Sequence, residues 1–220
     1  MSANGAANGA AIGATVTGIQ RRGRRLTFEF EGAPPLECER EFVAAHRLAI
    51  GDCIEPAILD RLRQQALQDE AERAAIRLLA VRPRSAADIH QRLRRRTIPL
   101  PIIEETIARL RAQGYLDDAA FAAQWTEERL RRHPRSARLI RAELQAHGVA
   151  PPEAAAATAA VEDEAVAGQI AERQVARFHG DRDGFQRKVG GLLLRRGYSE
   201  EVVGRTLRRV WGDRPGPPDS

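Results

Sequence analysis

Three stretches of this chain align with one another without a gap: RPRSAADIHQRLRRRTIPLPIIEETIARL from Arg82, HPRSARLIRAELQAHGVAPPEAAAATAAV from His133, and RDGFQRKVGGLLLRRGYSEEVVGRTLRRV from Arg182. Pro83, Arg84 and Ser85 return as Pro134, Arg135 and Ser136, and Gly148 returns as Gly197, so the unit is about 50 residues long. Apolar positions return even where identities do not: Ile89, Ile140 and Val189; Leu93, Leu144 and Leu193; Ile107, Thr158 and Leu207; Leu110, Val161 and Val210. A repeat on this scale restricts the fold more than any other feature, because one such unit cannot enclose a core alone and must stack on its neighbours.

Each unit reads as three helices, since an amphipathic segment precedes each matched pair: 71–80, 118–131 and 164–178. Phe121 and Trp125 stand one turn apart on the second of these and read as core. Ser85 with Asp88 makes a capping-box-like start, Ser136 can cap its counterpart, and Pro101 and Pro152 suit first turns. The period exceeds that of tetratricopeptide or ankyrin arrays. The expected fold is mainly α: three tandem three-helix repeats, 69–118, 119–161 and 162–212, in an elongated curved array.

Ahead of the repeats, residues 14–68 carry short strand-like runs (TVTGI, LTFEF, PLECE), with Leu26, Phe28 and Phe30 alternating with Thr27 and Glu29 as in a half-buried strand. A small antiparallel sheet is expected there. Two helices should follow, one over EREFVAAHRL and one opened by Pro56. Residues 1–13 and 213–220 are low-complexity or Pro-rich and are expected to be disordered tails.

Charge narrows the partner. Of the 35 basic residues only Lys188 is lysine, and the net charge is +5. Guanidinium forks suit phosphate and carboxylate, so an acidic partner is expected. The basic groups cluster at helix ends and recur with the repeat: Arg92, Arg94, Arg95 and Arg96; Arg131, Arg132, Arg135, Arg138 and Arg141; Arg187, Lys188, Arg195 and Arg196. Taken singly, each matches a cation at the negative end of a helix or on a solvated face. Together they make the candidate binding surface.

Other chemistry finds no support. The five histidines lack metal-ligand spacing, and Cys38 and Cys53 form neither a CxxC pair nor a disulfide framework, so no metal and a reducing cytoplasm are expected. There is no phosphate-binding loop, nucleophile elbow or HExxH helix, so neither enzymatic activity nor a cofactor is expected. The N-terminal residues carry neither a basic region nor a long apolar run, so no leader or membrane anchor is expected. A stacked, capped array needs no second copy for burial, so the chain is expected to be a monomer.

The stretch AIRLLAVRPRSAADIHQRLRRR, followed by IIEETIARLRAQGYLDDAAFAAQW, resembles the RecX recombination regulators of bacteria. The most specific piece is Gly114, Tyr115, Leu116, Asp117 and Asp118 followed by Phe121, Ala122 and Trp125, and the resemblance runs over roughly Thr15 to Trp211. It implies tandem three-helix units behind a β-containing extension. It further implies binding to RecA and its filament on single-stranded DNA, damping ATP hydrolysis, strand exchange and coprotease activity in repair and the SOS response. Two departures stand out: Thr97 occupies the place of Gly148 and Gly197, and PPEAAAATAA offers a third helix with little apolar bulk. A different class of function stays open, direct DNA binding through helix-turn-helix-like units. Against it stands a weak basic excess of +2, +2 and +1 over residues 69–118, 119–161 and 162–220.

Overall fold

A computed structural model describes residues 14–23, 25–39, 48–178 and 181–212. The helix expected over EREFVAAHRL, the two tails and Arg24 lie outside the described residues. Four strands come first: β1 (Ala14–Arg22), β2 (Arg25–Glu31), β3 (Ala33–Glu39) and β4 (Cys53–Ile54), in the order β3-β2-β1-β4 with all pairs antiparallel. The alternation in LTFEF sets the pleat. Phe28 is fully buried beside Val16, Leu36 and Cys38, while Thr27 pairs across to Gln20 and Glu37. Register breaks between Val16 and Gly18 and between Phe28 and Phe30 are bulges, which curl the sheet.

Nine helices follow among the described residues. Helix α1 runs unbroken over Pro56–Val81, where two separate segments, 56–62 and 71–80, are suggested by the spacing. No glycine or proline interrupts that span after Pro56, so nothing ends the first segment. Its front half supplies Leu59, Leu62 and Ala66 to the core under the sheet, and its back half buries Ala71, Ala74 and Ala75.

The remaining helices are α2 (Ala86–Arg94), α3 (Leu100–Ala112), α4 (Asp118–Arg132), α5 (Ala137–Ala146), α6 (Pro151–Thr158), α7 (Asp163–Val175), α8 (Arg182–Arg195) and α9 (Glu200–Gly212). In chain order they fall into the threes that the repeat marks out as first, second and third modules: the back of α1 with α2 and α3, then α4 to α6, then α7 to α9. Starts are set by side-chain caps: Asp117 accepts from Ala120 N–H, Ser136 from Leu139 N–H and Asp181 from Gly184 N–H. The equivalent apolar positions go to the core: Ile89, Ile140, Leu93, Leu144 and Leu193 are fully buried, and Val189 is nearly so.

Compactness divides the chain otherwise than sequence repeats do. One unit holds the residues up to Ala80 with Arg92–Leu110, and the other holds Val81–Gln91 with the chain from Arg111 onward. In the first, α3 is tied to α1 by Arg109 to Glu72 (3.1 Å) and Gln68 to Glu105 (2.7 Å). In the second, the core of the third module gathers Phe185, Val189, Leu193, Tyr198 and Val203, with Phe178 and Trp211 packed against it.

Two turn residues part company. Tyr198, which follows the turn glycine Gly197, is buried, and its hydroxyl has no hydrogen-bond partner among the described residues. Burial, then the charge of Asp163, pushes that phenol well above its ordinary range. Tyr115, which follows Gly114 in the same way, is 61% exposed, and nothing lies within 4 Å of where a Cβ on Gly114 would point. The low apolar content of PPEAAAATAA yields the shortest of the described helices, α6, burying only Ala154 and Thr158.

Candidate interaction surface

Two acid-free segments carry most of the second unit's basic candidates. Between Arg129 and Ala142 stand six arginines and no carboxylate, and between Gly184 and Ser199 stand Arg187, Lys188, Arg195 and Arg196, again with no carboxylate. The joint between the second and third modules draws them together. Ser136 N–H donates to the carbonyl of Arg196 (3.0 Å), Arg138 donates to the carbonyl of Gly197 (3.4 Å), and Arg196 donates to the carbonyl of Pro134 (3.4 Å). Arg131, Arg132, Arg138 and Arg195 are exposed there and Arg196 is half-buried. Arg132 has one loose ion pair, 3.6 Å from Glu128. Exposed guanidiniums with at most a loose carboxylate partner retain donors for phosphate or carboxylate groups.

Other candidates have internal work. Arg135 pairs with Glu143, and Arg141 donates twice to Thr158 Oγ1, at 3.1 and 3.2 Å. Arg92 is half-buried and engaged within the fold. Lys188 Nζ sits 5.9 Å from the Phe178 ring, and Arg187 is exposed on α8. Arg94, Arg95 and Arg96 are exposed and belong to the other compact unit.

A residue that composition did not single out, Arg129, explains the half-buried Trp125. Its guanidinium lies 4.1 Å over the indole, and its Nε donates to Glu143 (2.6 Å), which also accepts from the indole N–H (3.2 Å). Trp125 is thereby held in the fold, with Phe121 at 5.8 Å and His147 at 4.4 Å between ring centroids. A small hollow of about 80 Å³ opens beside it, lined by Arg82, Pro83, Phe121, Gln124 and Glu128. Trp211, near the end of α9, packs on Phe185 at 5.2 Å.

His147 ends α5 among these rings. Burial holds its imidazole below the ordinary histidine value, against the opposing pull of Asp88 and with help from Arg82 and Arg129. The unfolded chain therefore binds a proton more readily. The stability this group contributes is complete above about pH 6.5, the ordinary histidine value, and is lost as pH falls through that value toward the lowered folded one. Urea midpoints should fall between pH 7.5 and 5.5, and His147→Gln should flatten that decline; an unchanged slope would remove His147 as its source.

Cys38 is buried, its thiol pushed up to about 11, mainly by burial, so it is inert as a nucleophile. Among the described residues no group of three or more His, Cys, Asp and Glu side chains is arranged to hold a metal, and no helix is long and apolar enough to cross a membrane.

Comparison with known proteins decides the lineage. Residues 71–110 match the model for the first three-helix domain of RecX, and residues 117–157 match that for the second. The regulatory protein RecX of Streptomyces coelicolor is 33% identical over 149 residues, covering 64% of this chain and 78% of that protein. The chain belongs to the RecX family. The RecX of Geobacillus thermodenitrificans is 31% identical over 179 residues, covering 79% of this chain and 66% of that one. A crystal structure of a regulatory protein RecX covers 88% of this chain at a TM-score of 0.63 and 21% identity, and that of RecX from Lactobacillus salivarius covers 66% at 0.60 and 20%. RecX proteins are regulatory and noncatalytic. The third module, α7 to α9, lies beyond the two matched domain models and repeats their design.

Proposed function

We propose that this RecX chain binds RecA and its nucleoprotein filament on single-stranded DNA and restrains ATP hydrolysis, strand exchange and coprotease activity. The observation that supports the reading is the joint of the second and third modules, where Arg138 and Arg196 bond across two segments that also carry the exposed Arg131, Arg132 and Arg195 and no carboxylate of their own. A rigid helical scaffold bearing such groups suits a partner that presents phosphates or acidic side chains, and contact with more than one RecA protomer would favour one state of the filament over another. Arg94, Arg95 and Arg96, exposed in the other compact unit, are a second basic element of this reading. The RecA partner itself comes from the family resemblance.

Replacing Arg131, Arg132 and Arg195 by Ala, three exposed residues, should raise the concentration for half-inhibition of RecA ATPase about tenfold, or ~1.4 kcal/mol shared among three solvated charges. The helical circular-dichroism signal should be unchanged. Undiminished inhibition would take these residues out of the site. A parallel titration of DNA without RecA separates this reading from direct DNA binding: tight association with a steep salt dependence in RecA's absence would favour the latter.

A further inference from the structure

The two joints between successive modules are assembled from the same parts. At the first, Ser85 Oγ accepts from Asp88 N–H (3.1 Å) and donates to the carbonyl of His147, Ala86 N–H donates to the Asp118 carboxylate (2.8 Å), and a Cβ on Gly148 would collide with Ala87. At the second, Ser136 Oγ accepts from Leu139 N–H (3.2 Å) and donates to the carbonyl of Gly197 (2.8 Å), and Ala137 N–H donates to the Asp163 carboxylate (2.8 Å). A Cβ on Gly197 would lie 2.6 Å from Ser136 Oγ and 2.8 Å from Leu139 Cβ. Both serines are fully buried.

In each case the first N–H groups of a module's second helix, which need partners, are shared between the serine of its own cap and the next module. The serine cap and the aspartate from the head of the following helix take two of those roles. The glycine lets the following turn come close enough for the serine to reach its carbonyl. We propose that Ser85–Asp118–Gly148 and Ser136–Asp163–Gly197 are a repeated latch that docks each module on the next, and that the chain itself ends the series by omitting latch parts at both ends.

The ends carry the second half of the argument. Thr97 stands where the first module would have the latch glycine; it keeps the left-handed turn at φ 62° and is exposed, unlike Gly148 and Gly197, where an added Cβ would collide with a neighbouring module. A β-branched residue there is strained, which shows that the turn alone does not demand glycine and that the close approach does. At the other end Phe185 stands where the latch serine would be. There α8 begins earlier, capped by Asp181, and Phe185 is buried against Phe178 (5.5 Å) and Trp211 (5.2 Å), closing the face on which another module would dock. Sealed terminal units are what a linear stack needs for solubility.

Gly114 supplies the control. Its φ of 76° matches the 78° of Gly148, yet nothing lies within 4 Å of its would-be Cβ. Amide hydrogen exchange should therefore separate turn strain from latch opening. Gly148→Ala should speed exchange at Ala86 at least about tenfold while leaving Ala137 unchanged, and Gly197→Ala should do the reverse; Gly114→Ala should move neither selectively. If an alanine at either latch prevents folding, Ser85→Ala and Ser136→Ala provide the milder pair with the same expected selectivity. Equal acceleration at both amides, or latch variants indistinguishable from Gly114→Ala, would overturn the proposal. The functional consequence rests on the RecA reading above, since Arg138 and Arg196 bond to carbonyls across the second latch. The exchange experiment contains no RecA, so the latch and the partner are tested separately.

Discussion

Phe185→Ala is expected to lower the unfolding free energy by about 3–5 kcal/mol, the range for emptying a fully enclosed aromatic site. Phe185 has no exposed surface, lies in the core formed by Ala167, Val189, Leu193 and Val203, and is flanked by Phe178 and Trp211. Helix α8 passes through it rather than starting after it, so the helix cannot retreat to fill the space without losing the Asp181 cap. Urea unfolding followed by tryptophan fluorescence should show a much lower midpoint, with the Trp211 signal reporting the loss directly. A change below about 1 kcal/mol would mean that the third module relaxes around the gap and that Phe185 does not seal it.

Glu143→Leu is expected to cost about 2 kcal/mol. The carboxylate side chain is only 15% exposed and receives Arg129 Nε at 2.6 Å, the Trp125 indole N–H at 3.2 Å, and Arg135. Removing it strands three donors at once, a larger loss than that of an isolated surface pair. The cost stays below that of a fully buried pair because Arg129 and Arg135 are 24% and 38% exposed and regain water. Glu143→Gln should cost about half as much, since an amide oxygen still accepts the indole N–H. Chemical denaturation of the three proteins, with the Trp125 emission maximum recorded in each, checks both the ranking and its cause. Equal midpoints for Glu143→Leu and the parent would show that α4 and α5 are held by Phe121, Ile140 and Leu144 alone.

Both predictions fall on contacts within a module, the kind that sequence announces best. Ile89, Ile140 and Val189, and Leu93, Leu144 and Leu193, recur at helical spacing because each helix must turn one face inward, and all six are buried. Ser85 and Ser136 mark helix starts by chemistry that acts over three residues, and both accept from the N–H three positions on. The alternation in LTFEF likewise marks Leu26, Phe28 and Phe30 as one face, of which Phe28 is fully buried and the other two are half-buried against the same core. The continuity of α1 was less legible, because a break needs a residue that stops a helix and two amphipathic stretches can be joined without one.

The repeat, the helical class, the capped helix starts, the β extension and the family were thus determined by the order of residues, since each rests on interactions spanning a few positions or on a recurring pattern. What only the tertiary structure decided is which charges are available and how modules meet. Arg135 and Arg141 look like Arg131 and Arg138 in sequence, but they are claimed by Glu143 and Thr158 on other helices. Asp118 and Asp163 read as ordinary acids at positive helix ends, and their reach to Ala86 and Ala137 crosses 32 and 26 residues. Ser85 and Ser136 meet carbonyls 62 and 61 positions away. The recurrence of Ser85 as Ser136 and of Gly148 as Gly197 marks the positions but not their partners, so such contacts become visible only once the chain has folded back on itself.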